Sequence, residues 1–366
     1  MRAPLRVLAD ASALADGRRD AGIGRYIREL TAALAEIEDI QLTIETPKQR
    51  PWSDSRPGRF LRAQPGLLRT ARRLKPDVAH GLGGEPIVGL SSSRQVVTIH
   101  DVEMWRATGP TRPRDVVLRA YAMSLLGLYR RCAALIAVSR ASAEEAITTL
   151  DVAPERVHVV PEGVSPVFTS AATDDDIIRR RAIGVPEQPY VLWTGSLRHS
   201  DPRKGLDVLL EALSRLRPAQ PTLVMAGPAG EESRRIAWEA QRLSLVVILT
   251  GARSDDDLAA LYRGATAMVL SSNHEGFGLP VLEAMACGAP VVATSVGNLP
   301  DLAGDVALLV PPRDPAALAG GLRMVLEDRE RANRMREAGP VRAAGYTWSR
   351  AAALTADVYR AVAGRQ

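Results

Sequence analysis

Twelve short apolar runs, separated by stretches of helical period, constrain this 366-residue chain more than any other feature. In the first half they fall at Leu5–Ala9, Ile40–Glu45, Asp77–His80, Gln95–Ile99, Leu135–Val138 and Val157–Val160. A second series follows at Tyr190–Trp193, Thr222–Ala226, Val246–Thr250, Ala267–Leu270, Val291–Ala293 and Ala307–Val310. Continuous apolar runs, as opposed to alternating ones, belong to parallel strands covered by helices on both faces. The pattern therefore predicts an α/β fold with two doubly wound, Rossmann-like domains. Pro161, Gly163, Pro166, Gly184 and Pro186 break the rhythm between the two series and mark a linker. The expected domains are residues 1–165 and 175–345, with an interdomain cleft for ligands. A C-terminal helical segment, 346–366, is expected to pack back toward the first domain.

The densest cluster of chemistry lies at 271–290. Glu275 and Glu283 frame seven residues, the first five of which (Gly276, Phe277, Gly278, Leu279, Pro280) form a glycine-bearing turn. The run Ala267–Ser271 before it is strand-like; Val281–Ala286 after it reads as a buried helix, with Pro280 suited to the first position. A strand, a turn that exposes backbone N–H groups and a helix N-terminus together make a site for an anionic ligand at a sheet edge. Carboxylates beside such a site point to sugar hydroxyls. The plainer alternative is a Glu283 paired inside its helix and glycines that serve only the turn.

A second strand–loop–helix unit reads Trp193-Thr194-Gly195-Ser196-Leu197-Arg198, then Asp201-Pro202-Arg203-Lys204-Gly205, with a helix from about Leu206. Its cations could neutralise the charge that grows on a diphosphate leaving group without a metal. The chain has only three lysines (Lys48, Lys75, Lys204) against 44 arginines, so a lysine beside Arg203 and Gly205 stands out. Whether Arg198 or Arg203 takes the arginine role is open.

In Val96-Val97-Thr98-Ile99-His100-Asp101 a strand runs into a histidine, which places an imidazole at a carboxyl edge; His80 and His158 read as core histidines. Ala21-Gly22-Ile23-Gly24-Arg25-Tyr26 lies between the first strand and first helix, where Gly22 and Gly24 would permit close approach to a phosphate or an acceptor. There is no full G-x-G-x-x-G with a following acid, which disfavours a nicotinamide enzyme. Asp255-Asp256-Asp257 reads as acidic capping of a helix, not as a metal motif. The Thr250–Arg253 turn could meet a nucleotide base through its backbone. Ser139 has no nucleophile elbow, so acyl chemistry has no support.

Charge is uneven: residues 1–170 hold 24 Lys+Arg against 19 Asp+Glu, the remainder 23 against 23. Arg56, Arg59, Arg62, Arg69, Arg72, Arg73 and Lys75 follow one another without an acid. They read as a solvated helix face or as a patch for an anionic membrane or a phosphorylated acceptor. Only 15 aromatics exist and none interleaves with this patch, so nucleic acid is not an expected partner. No apolar run approaches the length of a membrane span, and the N-terminus reads as a strand, not a signal peptide. Cys132 and Cys287 sit in apolar helical patterns and are expected to be buried thiols in a reducing cytoplasm.

Taken together, Gly22–Tyr26, His100-Asp101, Val138-Ser139, Pro161–Val164, Gly195–Gly205 and Glu275–Glu283 make the chain similar, over nearly its whole length, to the retaining "group 1" (GT4) glycosyltransferases of GT-B fold. The resemblance implies transfer of a sugar from a nucleotide diphosphate-sugar to a glycan, lipid-linked or small-molecule acceptor, with no metal and no other cofactor. Arg203 and Lys204 would hold the diphosphate, with Gly22, Gly24, Gly195, Ser196 and Arg198 around the donor. Glu275 and the backbone of Gly276, Phe277, Gly278 and Leu279 would hold the sugar, Glu283 the ribose hydroxyls, and His100 would approach the transferred sugar. Retention would come from front-face attack. The likeness is greatest to bacterial mannosyl- and polysaccharide transferases, which puts GDP-mannose among the donors and polysaccharide or glycoconjugate synthesis, in the cytoplasm or at the inner membrane face, as the setting. An epimerase acting on a nucleotide-sugar and a non-catalytic carbohydrate-binding relative are the alternatives.

Overall fold

A computed structural model of the chain describes residues 3–20, 22–46, 56–102, 105, 113–185, 187–217 and 220–364. The chain divides into two compact units: one runs to Gly163 and resumes at Trp348, and the other is Val164–Thr347. Ala21, Lys48 and Pro186 lie outside the described residues.

The first unit is built on six parallel strands: β1 (Leu5–Asp10), β2 (Ile40–Glu45), β3 (Val78–Gly81), β4 (Gln95–Ile99), β5 (Ala134–Ala137) and β6 (Val157–Val159). Their order is β2-β1-β3-β4-β5-β6. Strands β3, β4 and β5 are buried at every position, as continuous apolar runs require. From β1 the chain steps outward to β2, then returns to β3 on the other side. The reversal opens a crevice at the carboxyl ends of β1 and β3.

The second unit repeats the design with β7 (Tyr190–Thr194), β8 (Thr222–Ala226), β9 (Val247–Gly251), β10 (Ala267–Leu270), β11 (Val291–Thr294) and β12 (Leu308–Val310). All neighbours are parallel, in the order β12-β11-β10-β7-β8-β9. Here the reversal falls between β7 and β10. One side of the sheet is closed by Val191, Trp193, Leu209, Leu213, Val269, Val292, Leu318 and Leu322, all essentially inaccessible.

Three local expectations change. Gly22 and Gly24 do not precede the first helix: it begins at Gly22 and runs to Ala35, after two 3-10 turns, Ser12–Ala15 and Gly17–Asp20. A Cβ on Gly24 would stand 2.1 Å from the Arg19 carbonyl oxygen, so this glycine admits the chain's own preceding turn. Second, the basic run is not one solvated face. Within the helix Arg56–Leu74, Phe60, Ala63, Leu67 and Ala71 form the buried stripe, and Arg59 turns inward to Asp16 at 2.9 Å. Arg62, Arg69, Arg72, Arg73 and Lys75 remain exposed. Third, His158 is half-buried because β6 is the edge strand of its sheet. His80 is a core histidine, bonded to Tyr359 Oη at 2.6 Å and Thr98 Oγ1 at 2.8 Å; burial pushes its pKa down to about 3, so it stays neutral.

The readings of the Asp255 helix start and of the two cysteines hold. Ser254 caps the helix Asp255–Gly264 by accepting from the Asp257 N–H, with three acids in its first turn. Cys132 and Cys287 are buried free thiols. Among the described residues no helix is long and apolar enough to cross a membrane.

Candidate functional site

The β7–β10 crevice gathers most of the sequence-derived candidates. Two loops leave adjacent strands there: Gly195–Gly205 after β7 and Ser271–Gly278 after β10. The 3-10 turn Pro202–Lys204 is seated on the second loop by three contacts. Asn273 N–H donates to the Arg203 carbonyl at 2.5 Å, Asn273 Nδ2 to the Pro202 carbonyl at 3.0 Å, and Ser271 Oγ to the Lys204 carbonyl at 2.8 Å. Gly205 makes this fit possible. Its φ is +59°, and a Cβ would lie 2.0 Å from the Ser271 carbonyl oxygen. Gly205→Ala is therefore expected to unseat the turn and destabilise the unit by about 1–3 kcal/mol. A lower Tm in thermal unfolding would bear this out; an unchanged Tm would not.

The cations are not equivalent. Arg203 is locked to Asp201, Nε to Oδ1 and an outer nitrogen to Oδ2, both at 2.9 Å. Burial pushes the Asp201 carboxyl up, but the Arg203 bond and charge outweigh it and hold it below its ordinary value. The arginine thus arrives already paired. Lys204 points the other way. Its Nζ donates to the Ser196 carbonyl and stands 5.8 Å from the Trp193 ring centroid. Burial lowers its pKa; Asp201, Glu232 and Glu275 oppose that shift while Arg203 adds to it. An anion placed beside it would offset this cost by favouring the charged form. Arg198 begins the next turn, its carbonyl accepting from the Glu231 N–H at 2.9 Å.

On the β10 side, the helix starts at Leu279, one residue earlier than expected, so Pro280 takes its second position. Gly278, left-handed at φ +103°, caps it. Phe277 is buried edge-on to Tyr346, and its carbonyl accepts from Asn298 Nδ2 at 3.0 Å. Gly276 and Glu275 are half-exposed at the turn, where Glu275 can address a ligand. Glu283 is buried within the helix and accepts from Tyr262 Oη at 3.1 Å.

The remaining candidates, Gly22, Gly24 and His100, belong to the first unit. His100 Nε2 donates to the Leu82 carbonyl at 2.9 Å, and Nδ1 stands 3.7 Å from a Glu162 carboxylate oxygen. The Tyr26 ring meets the imidazole edge-on, centroids 4.7 Å apart. Burial raises the Glu162 carboxyl, with His100 opposing. In the β1–β3 crevice, Arg18 bridges Asp16 and Glu85. Beside them Asp10, held by Ser12, is raised to about 6 by burial.

Asp201, Asn273, Tyr262 and Glu162 were not singled out from the sequence. Asn273 lies inside the glutamate-bearing stretch and Asp201 within the cationic loop, where their positions were a signal; Tyr262 looks like any core aromatic. Among the described residues no three His, Cys, Asp or Glu side chains are grouped to hold a metal ion.

Comparison with known proteins assigns this two-unit frame to a family. Residues 175–342 match the family model described as "Glycosyl transferases group 1", and 21–168 match "Glycosyltransferase Family 4". The chain is 30% identical to O-antigen chain mannosyltransferase B of Escherichia coli over 373 residues, covering 93% of this chain and 96% of that one. It is 33% identical to the D-inositol 3-phosphate glycosyltransferase of Salinispora tropica, over 62% of this chain and only 50% of that protein. Among solved structures, sucrose-phosphate synthase from Thermosynechococcus elongatus superposes with a TM-score of 0.80 at 22% identity, covering 99% and 100% of the two chains. Anabaena Alr3699/HepE in complex with UDP and glucose gives 0.74 at 19% identity, covering 96% and 98%. The chain belongs to the group 1 (GT4) glycosyltransferases and has their two-domain GT-B fold; it is a glycosyltransferase.

Proposed function

We propose that the chain moves a sugar from a nucleoside diphosphate-sugar, GDP-mannose first among the donors, to a growing glycan or lipid-linked acceptor with retention at the anomeric carbon. The observation that carries this is the seating of the Pro202–Lys204 turn on the Ser271–Asn273 loop, which brings cations and the Glu275–Leu279 turn to one crevice. In this reading Lys204 and Arg203 hold the diphosphate, with Gly195, Ser196 and Arg198 around it. Glu275 and the backbone of Gly276–Leu279 hold the sugar, and Glu283 the ribose hydroxyls. His100 is the first unit's candidate, with Gly22 and Gly24 in the first turn of that unit's first helix. Retention by front-face attack needs no enzyme nucleophile: the departing phosphate takes the acceptor's proton as the new glycosidic bond forms. No metal or further cofactor enters the scheme.

Donor choice is supported by the similarity to a mannosyltransferase over almost the entire length. The exposed Leu61, Arg62, Arg69, Arg72 and Arg73 on the helix Arg56–Leu74 suit work at the cytoplasmic face of an anionic membrane. The test is release of nucleoside diphosphate from GDP-mannose, UDP-glucose, ADP-glucose and TDP-glucose, with and without a mannose-terminated oligosaccharide acceptor. Acceptor-dependent release from GDP-mannose is the expected result. Release without an acceptor, or from a different donor alone, would overturn the reading.

A further inference from the structure

Glu283 is 5% exposed, and a buried carboxylate needs its lone pairs met by donors. One donor comes from a residue that the sequence presents as ordinary core. Tyr262, fully buried on the helix Asp255–Gly264, places its Oη 3.1 Å from Glu283 Oε2. A carboxylate oxygen only accepts, so the phenol's single proton is committed there. The 2.8 Å contact between Tyr262 Oη and Thr194 Oγ1 is then made with the threonine as donor. Thr194 ends β7, while Glu283 lies in the helix that follows β10. The order Thr194–Tyr262–Glu283 therefore runs across the strand reversal, beneath the two loops of the crevice. Phe168 packs edge-on against the Tyr262 ring at 6.0 Å and helps to fix its hydroxyl in place.

We propose that Tyr262 is a positioning residue for donor recognition: its hydroxyl holds the Glu283 carboxylate in the rotamer that receives the two vicinal hydroxyls of the donor ribose. This rests on the assignment of Glu283 to the ribose in the proposed function. Without the phenol proton the carboxylate loses a fixed partner, and bidentate capture of a diol depends on its orientation. A purely structural tyrosine would instead affect every ligand of the unit alike.

The test is a cycle between protein and ligand hydroxyls. GDP and 2′,3′-dideoxy-GDP are titrated calorimetrically into wild type and Tyr262→Phe, which keeps the ring. Wild type should bind GDP roughly tenfold more tightly than the dideoxy form, a charge-assisted hydrogen bond's worth. Tyr262→Phe should lose about fivefold to tenfold for GDP and nothing for dideoxy-GDP. Equal losses for both ligands, or no loss for either, would overturn the inference while leaving the donor site standing. A wild type that does not distinguish the two ligands would remove the ribose assignment, and the inference with it. Should Tyr262→Phe not fold, Thr194→Val keeps the Tyr262–Glu283 bond and removes the donor behind it. A smaller, ribose-dependent loss is expected there, and a ribose-independent loss would count against the role.

Discussion

Lys204→Ala is expected to lower kcat/KM for the nucleotide-sugar by about 10²–10³-fold, the usual cost of removing a preorganised partner of developing charge. In the proposed reaction, negative charge gathers on the terminal phosphate as the sugar leaves. An ammonium held in a partly dry crevice acts there without having to reorganise. Lys204 fits this better than its neighbour, because Arg203 is already locked to Asp201 whereas Lys204 is held by the neutral Ser196 carbonyl and Trp193 face. Burial lowers the lysine pKa, and an anion beside it would offset this by favouring the charged form. The fold should survive, since the Lys204 ammonium is held by a main-chain carbonyl and leaves no buried carboxylate behind when removed. Steady-state kinetics with a circular dichroism control provides the check. A loss under tenfold would remove Lys204 from the mechanism.

The largest effect on stability is expected from Arg263→Met. Arg263 and Asp176 form two 2.6 Å bonds and are almost fully buried, joining the helix Asp175–Ala182 to Asp255–Gly264; Arg263 also donates to the Thr169 carbonyl at 3.0 Å. Removing the arginine strands a buried carboxylate, at a cost of about 3–5 kcal/mol. The pair also sets an acid limit. Burial alone would raise the Asp176 carboxyl, but its bonds to Arg263 and Thr173 bring it down to about 2. A depressed carboxylate contributes stability that is complete above its ordinary value near 4 and is lost as the pH falls through about 2. Denaturant unfolding of wild type should therefore weaken between those limits, and Arg263→Met should weaken less over the same range. Equal acid sensitivity in both proteins would show that the pair is not responsible.

The strands were legible because parallel strands buried on both faces are apolar at every position. The strand, turn and helix around Glu275–Glu283 were legible because glycines followed by a proline mark a helix start locally. Periodicity cannot convey which strands become neighbours. The β7–β10 reversal, which turns two separate loops into one crevice, is decided by sheet order. Asp201–Gly205 and Ser271–Asn273 meet across about seventy residues, a contact no local pattern could reveal. The same holds for Tyr262, whose partners lie 21 and 68 residues away. The run from Arg56 to Lys75 looked uniform because composition does not say which way a side chain points. Gly24 looked like a ligand-facing glycine because a close approach by the chain's own Arg19 leaves the same mark in a sequence.

The β7–β10 crevice is proposed to grip a nucleoside diphosphate. The most direct test of this grip is thermal unfolding of wild type and Lys204→Ala in the presence of GDP, UDP, ADP or TDP. A nucleotide at one hundred times its dissociation constant should stabilise the wild type by about 2.7 kcal/mol. One nucleotide is predicted to raise the wild-type Tm clearly and to leave the Tm of Lys204→Ala almost unchanged. Absence of a shift with all four nucleotides, or an equal shift in the variant, would contradict the account.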